Sequence, residues 1–286
     1  MISDITLGQF FPGSSPLHRL DPRTKIIIGV FFVAAIFVAN TPLAFIAMLL
    51  VTLSLVFISK ISLSVILKGL KPIIFILVFT SLLNIFMTVG VGDPLLDIGF
   101  LRIYKEGIIR AVFMSLRVIL LIIGSTMLLT YTTSPIALTD AIESLLSPFK
   151  KIGLPVHAFA MMMSIALRFI PTLVEETEKI MNAQKSRGAD FSNGSLIKRA
   201  KALVPILIPL FVSSFKRADE LATAMECRCY RGDVNRTKLV KLEYKAADYL
   251  WMLAFVLILG LIIVSATLPH AFEVDNLFYK IIFHKI

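Results

Sequence analysis

The chain is short of charge. Only 17% of its 286 residues are Asp, Glu, Lys or Arg, where a soluble domain carries about 25%. Residues 26–59 hold no charged side chain at all, and further apolar runs approach the roughly 20 residues that a membrane span needs. One or two soluble domains are thereby excluded as the first reading, and a polytopic membrane protein is the simplest class. Cysteine is scarce too. Cys227 and Cys229 stand one residue apart, poorly placed for a disulfide and, with no histidine nearby, not a four-ligand zinc site. The histidines are scattered, and no nucleophile or metal cluster joins His18 to Asp21. There is no G-x-x-x-x-G-K-[S/T] loop, so the chain itself should not bind ATP. Residues 1–25 contain Asp4, His18, Arg19, Asp21, Arg23 and Lys25. With no short apolar core and small-residue cleavage site there, no cleaved signal peptide is expected. The net charge of +10 fits Lys/Arg-rich cytoplasmic loops. It comes without a nucleic-acid-binding signature, so no nucleic-acid partner is expected.

What is present is helix. Asn40-Thr41-Pro42 divides the first uncharged stretch into a hairpin. Its first arm is short for a span: either it begins earlier, near Pro22 with Asp21 as N-cap, or it does not cross fully. The second arm runs from Pro42 to Ser59. A third span is expected over 72–90, starting at Pro72, and a fourth over 108–132. The loop 91–107 between them holds the turn formers Gly92, Asp93, Pro94, Asp97 and Gly99. Arg110 can snorkel to the interface. Arg117 lies deeper, so it is either a functional residue or paired to a polar group in the bundle. The last span is expected over 249–268.

Residues 134–247 differ. They are rich in charge of both signs, yet apolar residues recur at helical spacing. Pro135 to Ser147 reads as a short amphipathic helix along the membrane surface, with a stripe of Ile136, Leu138, Ile142, Leu145 and Leu146. Two long helices follow, near 156–186 and 196–229. Each is apolar in its first half and polar in its second. Pro171 in one, and Pro205 and Pro209 in the other, are kink sites. Glu175-Glu176 reads as a solvated face. The expected fold is therefore all-α: about five transmembrane helices and three amphipathic cytoplasmic ones. The chain divides into an N-terminal membrane domain (1–133), a cytoplasmic domain (134–247), a last span (248–268) and a tail (269–286). Basic residues concentrate at the N-terminus, between Lys60 and Lys71, and in 134–247. This puts those parts in the cytoplasm and the C-terminus outside.

Both long helices end on an arginine among small residues, in AQKSRGAD and AMECRCYRGD. Arg187 and Arg228 are 41 residues apart. The same offset pairs Glu178 with Asp219, Ile180 with Leu221, Ala183 with Ala224 and Ser186 with Cys227. One reading is a solvated helix end that complements the macrodipole, worth about 0.3–1 kcal/mol. The other is a pair of plugs: small neighbours clear the way for a guanidinium suited to bidentate pairing with a partner's carboxylate. Arg231-Gly232 is a rival for the second plug.

With SPLHRLDPRTK (15–25), LLSPFKKIGLP (145–155) and these two segments in that order, the chain resembles the transmembrane T components of energy-coupling factor (ECF) transporters, the family that includes CbiQ-type cobalt permeases. The resemblance covers most of the chain. It implies a membrane coupling subunit with two ATPase subunits as partners. Two arginine-centred motifs dock in grooves of those ATPases, here Ser186-Arg187-Gly188 and Cys227-Arg228-Cys229. The usual motif has alanine before the arginine and often glycine after it, and Ser186, Cys227 and Cys229 depart from that. A substrate-binding S component, possibly exchangeable, is the third partner. The helices 135–147, 156–186 and 196–229 become coupling helices that pass ATP-driven motion to it. ATP and magnesium are held by the partners, and this chain carries no cofactor, no metal and no catalytic residue. The prolines would lend compliance, or else mark a static bend. The N-terminal segment resembles the shared, vitamin-uptake type more than a dedicated cobalt or nickel permease. A self-contained secondary transporter would need several deep ionisable residues and symmetric halves. An intramembrane enzyme lacks a constellation.

Overall fold

The computed structural model describes residues 10–88, 96–98, 101–189, 191, 196–232 and 242–267. It is helical apart from one short hairpin. Its contacts divide the described chain into two units, one of residues 10–134 with 242–267 and one of 135–232.

The first unit begins with α1 (Pro22–Val38) and α2 (Pro42–Ser59). The side chain of Asp21 accepts from the Arg23 N–H at 2.9 Å, and Thr41 accepts from the Ala44 N–H at 3.3 Å, so both helices start on a polar cap followed by proline. The third helix starts earlier than 72. α3 (Leu63–Leu70) passes through a 3-10 turn at Lys71–Ile73 into α4 (Ile74–Met87). Pro72 therefore does not open the element. The tighter turn carries the chain past its missing N–H. Within the 91–107 loop, β1 (Leu96–Ile98) pairs antiparallel with β2 (Leu101–Ile103). Gly92, Asp93, Pro94 and Gly99 lie outside the described residues, as does the tail 269–286. α5 (Lys105–Ser125) ends in a π-turn, Thr126–Thr130, where the Tyr131 N–H reaches back to the Thr126 carbonyl at 3.0 Å. The last helix of the unit is Ala246–Thr267.

Among the described residues, five helical stretches are long and apolar enough to cross a membrane: 42–59, 63–87, 105–130, 156–186 and 246–265. The number agrees with expectation, but the membership does not. α1, with 17 residues, reaches about 26 Å against a hydrocarbon core of about 30 Å. The helix 156–186 meets the length and composition instead, because its apolar first half belongs to a helix of 31 residues.

The short α1 is nonetheless the centre of its unit. Ile28, Phe32 and Ile36 of α1 are almost fully buried against Met48 and Leu55 of α2, Leu120 of α5 and Phe255 of the last helix. Gly124 lets α5 approach. A methyl group there would lie 2.0 Å from Cζ of Phe32, whose side chain is fully buried. Gly124→Ala is therefore expected to destabilise by roughly 1–3 kcal/mol through overpacking. Thermal melting of the detergent-solubilised protein measures this, and Phe32→Leu in the same chain should recover part of the loss.

Charge is spent on one lock. The Asp21 backbone N–H donates to Asp248 Oδ1 at 2.8 Å, and the Lys245 N–H donates to Oδ2 at 2.8 Å. Arg23 grips the Asp21 carboxylate through Nε at 3.1 Å and Nη2 at 3.0 Å, and its guanidinium lies 4.0 Å above the Tyr244 ring. Lys25, buried, donates to the Thr132 carbonyl at 2.8 Å and the His18 carbonyl at 3.3 Å. The run SPLHRLDPRTK thus ties the start of α1 to the start of the last helix and to the end of α5. Arg117 is paired as well. Its Nη2 donates to the Ala39 carbonyl at 2.6 Å and to Asn40 Oδ1 at 3.1 Å, and so caps the C-terminal end of α1 from α5. Of the two readings of Arg117, the pairing is the one observed.

In the second unit, α6 (Pro135–Leu146) leads through a 3-10 turn, Ser147–Ile152, to α7 (Val156–Ser186). α8 (Leu196–Cys227) follows, and α9 is the helix 246–267 already described. α7 runs through Pro171, and α8 through Pro205 and Pro209, without interruption. α6 turns its apolar stripe outward: Ile136, Ile142 and Leu146 are exposed, while Thr139, Ala141 and Glu143 are buried. That orientation suits a helix lying on a membrane surface.

Candidate functional site

The second unit is organised about the contact between α7 and α8. Glu176 of α7 accepts from the Ser213 hydroxyl at 2.5 Å and from Arg217 Nη2 at 2.7 Å. Glu176 is half-buried in this helix–helix contact, while Glu175 beside it is exposed. Glu176 and Arg217 are separated by the same 41 residues that relate Arg187 to Arg228. The helices thus meet at equivalent positions of the repeat. They run antiparallel, since residues 161–168 of α7 line a cleft together with residues 221–232 around the end of α8. A contact between equivalent positions of two antiparallel helices is a local pseudo-twofold. It sends the two arginine-tipped ends in opposite directions.

The two ends have the same backbone. At the first, the Gly188 N–H donates to the Lys185 carbonyl at 2.9 Å and the Ala189 N–H to the Gln184 carbonyl at 3.0 Å. At the second, the Cys229 N–H donates to the Glu226 carbonyl at 2.8 Å and the Tyr230 N–H to the Met225 carbonyl at 3.0 Å. Each is a Schellman cap, with one residue in the left-handed region after the last helical turn. Gly188 takes it with φ 85° and Cys229 with φ 57°. Cys229 departs from the residue best suited to that conformation and bears a strain of about 1–2 kcal/mol. Arg187 and Arg228 each occupy the capping position before that residue. Arg231 lies three residues beyond, so the backbone matches Arg228, not Arg231, to Arg187.

All six expected residues, Ser186, Arg187, Gly188, Cys227, Arg228 and Cys229, are exposed. The structure keeps the two triplets apart: Arg228 lines the cleft beside Arg168 of α7, and Arg187 ends α7 about 28 Å further along the helix at 1.5 Å per residue. The Ser186 hydroxyl donates back to the Asn182 carbonyl at 3.1 Å, which leaves the arginine side chain unobstructed. The cleft at the second end has a volume of about 610 Å³. Its walls bring Arg168, which sequence reasoning passed over, beside Arg228 and Arg231.

Two further features position α6. His157 Nδ1 and Glu143 Oε1 lie 2.9 Å apart, both side chains largely buried, and join α6 to the first turn of α7. Beside them is an apolar hollow of about 260 Å³ between Ile142, Leu146, Phe159 and Met163.

Residues 13–239 match the family model described as CbiQ, cobalt transport protein. Among curated proteins, the chain is 53% identical to the energy-coupling factor transporter transmembrane protein EcfT of Clostridium kluyveri over 265 residues, which cover 93% of this chain and 98% of that protein. It is 56% identical over 250 residues to the protein of the same description from Ruminiclostridium cellulolyticum, covering 87% of this chain and 92% of the relative. It is 50% identical over 248 residues to that of Bacillus subtilis, covering 87% and 93%.

Proposed function

The chain belongs to the CbiQ family of transport proteins, and from that premise we propose that it is the coupling subunit of an ECF-type importer in the cell membrane. In this reading Arg187 and Arg228, with their small neighbours, dock in grooves of two ATPase subunits. Those subunits bind and hydrolyse ATP. The observation that carries it is the pair of superimposable helix caps, each presenting one guanidinium at an exposed end of one arm of an antiparallel pair. A solvated helix end needs a cation near its last carbonyls, but not the same cap geometry twice. Two separate ends call for two docking partners, and ATP-driven closure of those partners would pull on both arms. The shared contact at Glu176, Ser213 and Arg217 is where that pull would be transmitted.

The arms' apolar halves are suited to the third partner, a substrate-binding S component. Met162, Met163, Phe211 and Phe215 are exposed there, and methionine adapts to varied surfaces. The substrate, a vitamin or other micronutrient, would be bound by that component. The family model's description names cobalt, whereas the relatives' descriptions name no metal. Together with the SPLHRLDPRTK segment, this favours the shared type of module over a dedicated cobalt or nickel permease. The basic N-terminus and the charged unit support a cytoplasmic location for both. Because Asp21 and Asp248 lock the starts of α1 and α9 together, α9 would then leave the cytoplasm and put the C-terminus outside.

The test is affinity purification of the tagged full chain, co-expressed with two candidate ABC ATPases and with candidate S components from the same genome. Recovery of both ATPases and an S component, with uptake that stops when either ATPase is omitted, is expected. Uptake by this chain alone in proteoliposomes would instead establish a self-contained transporter.

A further inference from the structure

Resting on the docking reading above, we propose that the two arginine ends are not equivalent. On this view, the cleft at the α8 end is a three-guanidinium receptor, built by Arg168, Arg228 and Arg231, for a carboxylate-rich segment of one particular ATPase subunit. The pseudo-twofold sets the two ends side by side for comparison. The relation that superimposes Arg228 on Arg187 places Arg168 on Pro209 and Arg231 on Asp190, the last of which lies outside the described residues. One end therefore assembles three arginines where the repeat gives the other one arginine, one proline and one aspartate. The backbone caps are the same, so the difference between the ends is one of charge.

The three arginines line a single cleft between the first half of α7 and the turn after α8, and no carboxylate is among the described residues lining it. All three are exposed. A surface of this kind repels cations and gains most from an acidic, forked acceptor, because guanidinium pairs bidentately with carboxylate. The cleft is continuous with Arg228, so a segment that receives that arginine has Arg168 and Arg231 within reach. Such charge complementarity discriminates between partners more than it adds raw affinity, because the wrong partner meets unpaired or like charge. Arg168 and Arg231 are thereby assigned as residues that decide which ATPase takes which end.

The experiment compares the full chain carrying Arg168→Gln plus Arg231→Gln with wild type, Arg187→Glu and Arg228→Glu, each co-expressed with both ATPases. Each ATPase retained on the purified chain is quantified separately by mass spectrometry. The double glutamine variant is expected to retain on the order of tenfold less of one ATPase, the same one that Arg228→Glu releases. The other ATPase should stay at the wild-type level, which also shows that the unit is folded. Arg168→Lys plus Arg231→Lys should lie between, since it keeps charge but not the fork. Wild-type retention of both ATPases by the glutamine variant, while Arg228→Glu still releases one, overturns this inference and leaves the docking reading standing. So does loss of both ATPases alike, and so does retention of both with loss of a bound anionic phospholipid, which would make the cleft a lipid site. Retention of both ATPases by Arg187→Glu and by Arg228→Glu overturns the docking reading and this inference with it.

Discussion

Arg187→Glu together with Arg228→Glu is expected to release both ATPase subunits from the purified protein and to abolish ATP-driven uptake, while the chain stays folded in the membrane. Each arginine occupies the last position of a helix whose final carbonyls are already satisfied by the Schellman bonds from residues 188 and 189, or from 229 and 230. The reversal therefore removes no cap. Inside the chain it costs only the favourable contact between a cation and the helix C-terminus, a small quantity at an exposed end. Melting temperatures should stay within a few degrees of wild type. At an interface the same substitution acts differently. If the arginines dock as proposed, it deletes a charge-assisted fork and sets a carboxylate against the acceptor that would receive the guanidinium. Truncating one member of a desolvated ion pair weakens association on the order of 100-fold, and reversal adds repulsion. The single variants should each release one ATPase and also stop transport, because a pull on one arm alone has nothing to work against. Arg→Lys at both positions should retain part of the binding, as a point charge without the planar fork. If the doubly reversed chain holds both ATPases and drives uptake, the arginines are ordinary helix ends.

Much of this architecture was legible from local chemistry. Asp21-Pro22 announced a helix start because an N-cap needs only its own first turn, and Asn40-Thr41-Pro42 announced the turn between α1 and α2. The membership of the spans was harder to read. Pro72 looks like a start but is absorbed by a 3-10 turn, and α7 passes the length of a span only as a whole helix of 31 residues, where α1 stops at 17. The stripe on α6 was identified correctly as apolar, but which way it faces depends on α7, and the buried face is the polar one around Glu143. Tertiary pairings were the least accessible. Nothing near Arg117 in the sequence points to Ala39 and Asn40, and nothing near Asp248 points to Asp21. Glu176 is the instructive miss. Its ion pair with Arg217 obeys the same 41-residue offset that revealed the arginine ends. Carrying the repeat two residues further back from Glu178 would have paired it with Arg217.

Asp248 carries the second large effect. It is 1% exposed, and both of its oxygens are used: one takes the Asp21 N–H and the other the Lys245 N–H, each at 2.8 Å. Lys25 lies close enough to feel the charge of both Asp248 and Asp21, so the carboxylate also balances a buried ammonium. Asp248→Ala orphans two backbone donors and leaves Lys25 and Arg23 facing Asp21 alone. Each buried donor left without its acceptor costs about 1–3 kcal/mol, so the two together are a large part of a typical total of about 5–15 kcal/mol. The variant is expected to fail to accumulate, or to melt far below wild type. Asp248→Asn keeps one acceptor and loses the charge, so it should be intermediate. If the loss is the uncompensated ammonium, Lys25→Met should restore stability to Asp248→Asn, and the two changes should be strongly non-additive. If it is the orphaned N–H groups, they should simply add. Either result separates this lock from the arginine ends. Any Asp248→Asn protein that reaches the membrane should hold both ATPases, because its defect lies where α1 meets α9 and not at Arg187 or Arg228. A melting temperature for Asp248→Ala equal to that of wild type would mean that α1 and α9 are held together by their apolar faces alone.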